Sequence, residues 1–345
     1  MRHTTIRTWT SILLVLALAL AACGDSESEE TTTTAAAETT TTTTAPPETT
    51  TTTEAPTTTT TEAAPDSVLF TGADDVESEI TDTSRIVSLG GDITEIIFEL
   101  GLGDQVVAID VTTTYPEEAT DLPVVGFGQQ LAAEPVLAFE PTLVIGDEMT
   151  APPEAIEQIR GTGVPVVILP TQSTLEGVSE KIRQVAEILS VSEEGEALVA
   201  RVESEISAAQ ALAETVDEQP RVAFVYVRGP QVVLLFGAGI ATNAMITGAG
   251  AIDAGADSGV FGAVPVTPEA LVAAAPDVIV LPEAGLEALG GVDAFSEVPG
   301  VAETPAGETG AFLAYDEAYF FNLGPRTGQA LEEFVLDLYP DLAES

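Results

Sequence analysis

Cysteine, histidine and tryptophan are almost absent from this chain of 345 residues. Each occurs once, as Cys23, His3 and Trp9, so all three lie within the first 23 residues. The rest of the sequence therefore has no disulfide, no Ser-His-Asp triad, no cysteine nucleophile and no His/Cys zinc site. These absences exclude most hydrolase and metalloenzyme chemistries.

Basic residues are also scarce, since 10 Lys and Arg stand against 56 Asp and Glu, for a formal net charge of −46. A polyanion of this kind repels nucleic-acid phosphates, and it lacks the basic patches that bind anionic membrane surfaces. We therefore expect no nucleic-acid partner and no attachment to a membrane through charge. The length is sufficient for two domains of ordinary size.

Residues 1–22 predict a signal peptide. Arg2 and Arg7 precede an apolar run from Ser11 to Leu20, which is too short to span a bilayer comfortably and ends in small residues. The last three residues of the segment and the residue that follows them, Leu20-Ala-Ala-Cys23, resemble the lipobox of bacterial lipoproteins. We expect Cys23 to be lipidated and to anchor the protein outside the cell membrane. The alternative is an ordinary secretory signal with a chance cysteine.

Residues 23–66 predict a disordered tether behind the lipidated cysteine. After Cys23 the segment is almost entirely Thr, Ala, Glu and Pro, without a basic residue. It cannot bury enough apolar surface to offset the entropy of ordering. Proline and like-charge repulsion favour an extended stalk, which would hold a folded domain away from the membrane. The Thr-rich tracts suit O-glycosylation, and a bare stalk is the alternative.

The folded part, residues 67–345, predicts an α/β protein with two Rossmann-like lobes, parallel sheets and a ligand cleft between the lobes. Strand residues 85–89 lead through Gly90-Gly91 into a helix from Ile93, which Asp92 can cap, and then into strand 105–110. This order predicts a βαβ unit and hence a parallel sheet.

Between about residues 174 and 214 the apolar period becomes helical, and two amphipathic helices follow each other without a strand between them. They predict a long helical spine. Strands 221–227 and 232–236 are separated by a Gly-Pro turn and predict a hairpin. We assign residues 67–172 to the N-terminal lobe, 173–216 to the helical linker and 217–345 to the C-terminal lobe.

An internal repeat supports duplicated lobes. Residues 132–145 and 267–280 both have Glu in the third position, Ala in the seventh and Pro in the tenth, followed by a polar residue and three β-formers. Each copy predicts a short helix with a glutamate, Glu134 or Glu269, in its first turn, where the helix dipole favours an anion. A buried strand follows each helix. Because the copies lie on either side of the predicted spine, duplication is the better explanation than chance.

The order of lipobox, tether, two lobes and spine resembles the substrate-binding lipoproteins of bacterial ABC importers. The resemblance is strongest to the helical-backbone class that binds vitamin B12, ferric siderophores or haem. Five motifs are similar to those of the haem (hemin) binding members: residues 85–97 (RIVSLGGDITEII), 113–116 (TTYP), 130–137 (QLAAEPVL), 286–293 (LEALGGVD) and 324–327 (GPRT). The similarity runs from about residue 84 to residue 339. It implies an extracytoplasmic receptor that captures ferric haem and delivers it unchanged to an ABC permease and its ATPase.

The resemblance implies that Tyr115 is the axial ligand of the haem iron, and the available donors agree. Without histidine or cysteine, the folded part has only Tyr, Met, Asp and Glu to offer, and phenolate is a hard donor that suits ferric haem. Tyr115 follows a strand, so we expect it at the carboxyl edge of a parallel sheet, where such folds bind ligands. The alternative is a loop tyrosine that packs its ring on a neighbour. A second-lobe ligand could come from Tyr226, Tyr315 or Tyr319, and Met149 could approach the iron, although ordinary packing is the alternative for each.

Two arginines are candidates for ligand binding, because only eight basic residues follow Cys23. Arg326 in the Gly-Pro-Arg-Thr motif is a plausible partner for a haem propionate or for the phenolate. Its alternative is an ion pair with one of the many carboxylates at the surface. Arg228, beside the Gly-Pro turn, is the other candidate.

For Glu134 and Glu269, the resemblance implies that one glutamate on each lobe docks into a basic pocket of the permease. The alternative is favourable placement at a helix start without a partner. Other functions stay open: a ferric siderophore or corrinoid receptor of the same class, an enzyme with Asp/Glu chemistry on the same scaffold, or an adhesive surface lipoprotein without a ligand-sized cleft. No nucleophile–base pair suggests itself, so we predict no enzymatic activity, no catalytic residue and no catalytic cofactor.

Overall fold

The computed structural model describes residues 67–344, so the predicted signal peptide, Cys23 and the tether lie outside the described part. Within that part, no helix has both the length and the apolar composition to cross a membrane. The described residues form an α/β fold with one sheet in each of two lobes and a pair of long helices between them.

The N-terminal lobe is built on a parallel sheet of four strands in the order β4-β3-β5-β6. Its elements are β1 (Val68–Thr71), β2 (Glu77–Ile80), β3 (Ile86–Leu89), α1 (Gly91–Glu99), β4 (Val106–Ile109), α2 (Glu117–Thr120), α3 (Ala133–Leu137), β5 (Leu143–Asp147), α4 (Pro153–Arg160) and β6 (Val166–Leu169). The four residues of β3 are all buried, as expected for a central strand covered on both faces. Strands β1 and β2 form a separate antiparallel hairpin that the sequence did not predict.

The spine consists of α5 (Leu175–Ile188) and α6 (Ser192–Ala213). Thr174 caps α5, because its side chain accepts a hydrogen bond from the N–H of Gly177 at 3.1 Å. One apolar core runs continuously from the inner face of the N-terminal sheet through the spine to the C-terminal lobe. Two smaller cores lie on the outer faces of the two sheets. The predicted helical spine between two α/β lobes is confirmed.

The C-terminal lobe has a mixed sheet in the order β10-β8-β7-β11-β12, with β9 pairing with β7. Its elements are β7 (Arg221–Val227), β8 (Val233–Phe236), α7 (Ala241–Gly248), β9 (Ile252–Asp253), α8 (Ala254–Asp257), β10 (Ala263–Pro265), α9 (Pro268–Ala274), β11 (Val278–Pro282), α10 (Glu283–Leu289), α11 (Val292–Ser296), α12 (Pro305–Thr309), β12 (Phe312–Tyr315), α13 (Glu317–Phe321) and α14 (Thr327–Leu338). Strands β7, β11 and β12 are parallel, whereas β8 and β10 are antiparallel to their neighbours. The predicted hairpin of β7 and β8 is therefore confirmed.

The repeat occupies equivalent places in the two lobes. The first copy forms α3 and then β5, and the second forms α9 and then β11, each a strand inside its sheet. The prediction for Asp92 is wrong in one respect, because α1 begins at Gly91 and has no side-chain cap. Asp92 lies within the helix and pairs with a buried lysine. The boundaries proposed between the lobes and the linker stay a prediction.

Candidate functional site

The loop after β4, which leads to Tyr115, is held at the carboxyl edge of the N-terminal sheet. Asp110 is 2% exposed and accepts hydrogen bonds from the N–H and Oγ1 of Thr112, at 3.1 and 2.6 Å, and from the N–H of Gly128 at 3.4 Å. Burial raises the pKa of Asp110. A Cβ on Gly91 would lie 2.5 Å from the carbonyl oxygen of Thr112, so only glycine lets α1 approach this closely. The loop is therefore anchored on both sides.

Tyr115 stacks against Arg326 from the C-terminal lobe. The guanidinium carbon of Arg326 lies 3.7 Å from the ring centroid of Tyr115 and 5.0 Å from that of Tyr319. At these distances the cation interacts with the faces of both rings. Tyr115 keeps 38% of its surface exposed. The structure thus brings together Tyr115 and Arg326, which lie on different lobes and were both predicted as site residues.

Arg326 also forms a buried ion pair with Glu95 of α1. Its Nε and Nη2 donate to Oε2 of Glu95 at 3.0 and 2.9 Å, and its backbone N–H donates to Oε1 at 3.1 Å. The side chains of Arg326 and Glu95 are 17% and 5% exposed. Burial raises the pKa of Glu95 and the charge of Arg326 opposes that rise. Arg326 therefore has an ion-pair partner, as the alternative interpretation held, although the pair is buried rather than at the surface.

A second Tyr–Arg pair lies on the C-terminal lobe. The ring of Tyr226 packs against Phe236 and Phe321, with centroid distances of 5.5 and 6.4 Å. Its hydroxyl donates a hydrogen bond to Oε1 of Glu317 at 3.3 Å. Nη2 of Arg228 lies 3.7 Å from Oε2 of Glu317, and the guanidinium carbon lies 5.8 Å from the Tyr226 ring centroid. Burial raises the pKa of Tyr226, and the charge of Glu317 raises it further.

The two pairs lie next to each other at the boundary between the lobes. Thr114 Oγ1 donates a hydrogen bond to Asp316 Oδ1 at 3.3 Å. Tyr115 is the next residue after Thr114, and Glu317 is the next residue after Asp316. The loop that carries Tyr115 therefore contacts the start of α13, where Glu317 lies. Tyr115 comes from the N-terminal lobe, whereas Arg326, Tyr226 and Arg228 come from the C-terminal lobe.

A group of charges that are buried or partly buried lies beneath the same edge. Lys181 of the spine forms an ion pair with Asp92, and their side chains are 5% and 9% exposed. The same ammonium donates to the carbonyl oxygen of Asn322 at 3.4 Å, so it contacts both lobes. At the end of β5, burial and the charge of Asp92 raise the pKa of Asp147 to about 6. Met149 follows on a loop and is 50% exposed.

The other predicted residues lie elsewhere. Tyr315 is 6% exposed, and its hydroxyl donates to Asp337 Oδ2 at 2.6 Å, so it is part of the core. Glu134 and Glu269 are exposed in the first turns of α3 and α9. Their placement on matching helices of the two lobes agrees with the repeat. Within residues 67–344, neither carboxylate has a side-chain hydrogen bond or an ion pair.

A groove of about 730 Å³ borders Tyr115 on the N-terminal lobe. Its charged lining is acidic throughout: Glu95, Glu99, Asp104 and Glu118. A ligand that carries carboxylates would be repelled there, so the arginine-bearing boundary between the lobes fits such a ligand better. Within residues 67–344, no three His, Cys, Asp or Glu side chains are grouped so as to hold a metal ion.

Sequence reasoning does not identify Glu95, Glu317 or Lys181 as site residues. Lys181 is one of the eight basic residues after Cys23, and this scarcity is a signal that could have identified it. The two glutamates carry no such signal, because they belong to a set of 56 acidic residues.

Solved structures of haem-binding proteins are similar to this chain, and a family model described as "Periplasmic binding protein" matches residues 86–319. The periplasmic heme-binding protein RhuT from Roseiflexus sp. RS-1, in apo form, is 45% identical with a TM-score of 0.74, over 76% of this chain and 100% of that chain. The heme binding protein HmuT is 34% identical with a TM-score of 0.76, over 79% and 90% of the two chains. The periplasmic heme-binding protein BhuT, in complex with two hemes, is 35% identical with a TM-score of 0.69, over 75% and 98%.

Curated relatives are similar over shorter or more divergent stretches. The uncharacterized ABC transporter substrate-binding lipoprotein YvrC of Bacillus subtilis is 30% identical over 261 residues, which are 74% of this chain and 80% of that protein. The vitamin B12-binding protein of Vibrio campbellii is 32% identical over 142 residues, which are 41% of this chain and 50% of that protein. The match therefore spans about half the length of the B12-binding relative.

Proposed function

Since this chain belongs to the periplasmic binding protein family, we propose that it captures ferric haem between its two lobes and delivers it to the permease of an ABC importer. The chain is a substrate-binding protein of an ABC importer, and proteins of this kind are non-enzymatic carriers outside the cytoplasm. Support for haem comes from the similar solved proteins, since RhuT, HmuT and BhuT are all named as haem-binding.

The observation that carries the proposal is the presence of two Tyr–Arg pairs at the boundary between the lobes. Phenolate oxygen is a suitable donor for ferric haem, and a nearby guanidinium favours the phenolate form. HmuT has also been solved as variants in which a tyrosine and an arginine two positions apart are replaced. Tyr226 and Arg228 have the same spacing. We propose Tyr115 as the axial ligand, with Tyr226 as the candidate on the second lobe.

The arginines are proposed to hold the haem propionates. The side chain of Arg228 is 60% exposed and is held only loosely, at 3.7 Å from Glu317 and 5.8 Å from the Tyr226 ring centroid, so it can turn towards a ligand carboxylate. Arg326 is committed to Glu95 through Nε and Nη2, and its Nη1 makes no hydrogen bond to a described residue. Charge-assisted hydrogen bonds from such groups to carboxylates are about twice as strong as neutral ones.

A hemin titration of the full-length protein tests the proposal. We expect a Soret change together with a charge-transfer band typical of a ferric tyrosinate, and we expect Tyr115→Phe to remove that band. Tyr339→Phe is the matched control, because it removes a hydroxyl that has no hydrogen bond to the described residues and lies outside both pairs. The absence of any spectral change at micromolar hemin would overturn the proposal.

A corrinoid is the second candidate ligand, because several curated relatives are vitamin B12-binding proteins. A ferric siderophore would use the same aromatic and arginine contacts without ligation by tyrosine. Isothermal titration with cyanocobalamin and with a ferric siderophore separates these ligands from hemin. Binding of either one in place of hemin would select the corresponding alternative.

Attachment and delivery complete the proposal. We propose that lipidated Cys23 anchors the protein outside the cell membrane, as the name of the lipoprotein YvrC supports for that relative. We also propose that Glu134 and Glu269 dock into basic pockets of the permease. Both carboxylates are exposed, and they occupy matching positions on the two lobes.

A further inference from the structure

Each Tyr–Arg pair contains a glutamate, and the two glutamates are held very differently. Glu95 is 5% exposed in its side chain and accepts three hydrogen bonds from Arg326, at 2.9 to 3.1 Å. Glu317 is 33% exposed, accepts one hydrogen bond from the Tyr226 hydroxyl at 3.3 Å, and lies 3.7 Å from Nη2 of Arg228. The first arrangement is buried and tight, whereas the second is open and loose.

We propose that Glu317 is a positioning residue that occupies the Tyr226–Arg228 pair in the unliganded protein and competes with the carboxylates of the ligand for it. This inference rests on the proposed function, because it assigns a role at the same site. It adds a specificity element: a ligand is favoured when it brings its own carboxylate to Arg228 and its own metal to Tyr226.

Glu317 contacts both the Tyr226 hydroxyl and the Arg228 guanidinium, and a ligand that binds these two groups has to replace both contacts. The Tyr226 hydroxyl donates a hydrogen bond to the carboxylate, which favours the neutral phenol. A metal requires the phenolate instead, and a propionate requires the guanidinium. Glu317 contacts both groups, through the hydrogen bond from Tyr226 at 3.3 Å and the approach of Arg228 at 3.7 Å. Both requirements are met when Glu317 leaves the pair.

The strength of each pair decides which carboxylate can leave. An exposed ion pair contributes little, because solvent screens it and its side chains are mobile. Glu317 and Arg228 fit this description. Removing Arg326 from Glu95 would instead leave a buried charge without a partner, which is strongly destabilising. The competition is therefore confined to the C-terminal pair, and Glu95 keeps Arg326 in place whether or not ligand is bound.

Glu317→Gln in the full-length protein tests the inference, with Glu287→Gln as the matched control. Glu287 lies exposed on α10 of the same lobe, so its replacement removes the same charge away from the pair. We expect Glu317→Gln to bind hemin about two- to fivefold more tightly, the range that loss of an exposed ion pair allows. We expect the control to bind as the unmodified protein does. An unchanged or weaker affinity in Glu317→Gln would overturn the inference.

A double-mutant cycle and a ligand-free readout separate competition from a merely structural effect. In the Arg228→Ala background, Glu317→Gln is expected to give no further gain in hemin affinity. Without ligand, the near-ultraviolet difference spectrum of Tyr226, obtained by comparison with Tyr226→Phe, is expected to change in Glu317→Gln, because the phenol no longer donates its hydrogen bond to a charged carboxylate. A gain that persists without Arg228, or an unchanged Tyr226 spectrum, would contradict the inference. If the unmodified protein binds no hemin, the proposed function fails, whereas the ligand-free spectrum still decides whether Glu317 contacts Tyr226.

Discussion

Asp147→Asn is expected to stabilise the protein, and the gain should grow with pH. The carboxyl group of Asp147 has its pKa raised to about 6 from 3.8, first by burial and then by the charge of Asp92. A raised pKa means that the folded state prefers the protonated form. The associated stability is present below pH 3.8 and is lost as the pH rises through 6. Asparagine cannot ionise, and its Oδ1 can still accept the hydrogen bond that Met149 donates at 2.9 Å.

The magnitude follows from the size of the pKa shift. Each pKa unit corresponds to 1.36 kcal/mol, so a shift of about two units destabilises the folded state by about 3 kcal/mol at pH 8. Because Asp147 is only partly buried, solvent screening lowers the expected difference to about 2 kcal/mol. At pH 4 the group is protonated in the folded state, and the expected difference is below about 0.5 kcal/mol.

Urea denaturation at pH 4 and pH 8 measures this difference directly. Asp121→Asn is the control, because Asp121 is an exposed carboxylate of the same lobe, and its replacement should change the free energy of unfolding by less than about 0.5 kcal/mol at both pH values. A gain for Asp147→Asn that is equal at the two pH values, or a loss at pH 8, would refute the reasoning from burial and like charge.

Three further outcomes are expected. Lys181→Met should lower the free energy of unfolding by about 3–5 kcal/mol, because it leaves the buried carboxylate of Asp92 unpaired. Arg183→Met, at an exposed pair, should lower it by less than about 1 kcal/mol, and equal losses of the two variants in denaturant titrations would contradict this reasoning. Charge reversal of both Glu134 and Glu269 should abolish uptake by cells and leave hemin affinity unchanged, and a loss of hemin affinity would refute the docking role. Cys23→Ala should move the protein from the detergent phase to the aqueous phase on phase separation, and its retention in detergent would exclude the lipid anchor.

Short-range patterns made much of the fold predictable. The run from residue 85 to residue 110 combines a buried strand, a glycine turn, an apolar helix and a second strand, and it folds as β3, α1 and β4. The helical period of residues 175–189 likewise predicted α5. The Gly-Pro turn before residue 232 predicted the hairpin of β7 and β8. The shortest strands were missed, because the three residues of β10 and the two of β9 cannot display a period.

Contacts between distant residues account for what the sequence could not predict at the site. Glu95 and Arg326 are separated by 231 positions, and no local pattern selects this glutamate among so many acidic residues. The capping role expected for Asp92 is wrong for a similar reason. Asp92 instead pairs with Lys181 of the spine, since leaving a buried ammonium unpaired is strongly destabilising. The scarcity of basic residues did single out Arg326, which the structure places against Tyr115.

The buried pair of Glu95 and Arg326 has a consequence for biosynthesis. Translation makes the first lobe long before the segment that carries the neutralising guanidinium, because 231 residues separate the two partners. Until that segment docks, α1 holds a carboxylate that is either ionised without compensation or protonated. The N-terminal lobe alone therefore lacks the guanidinium that neutralises Glu95. The edge that carries Tyr115 is complete only when the two lobes are in contact.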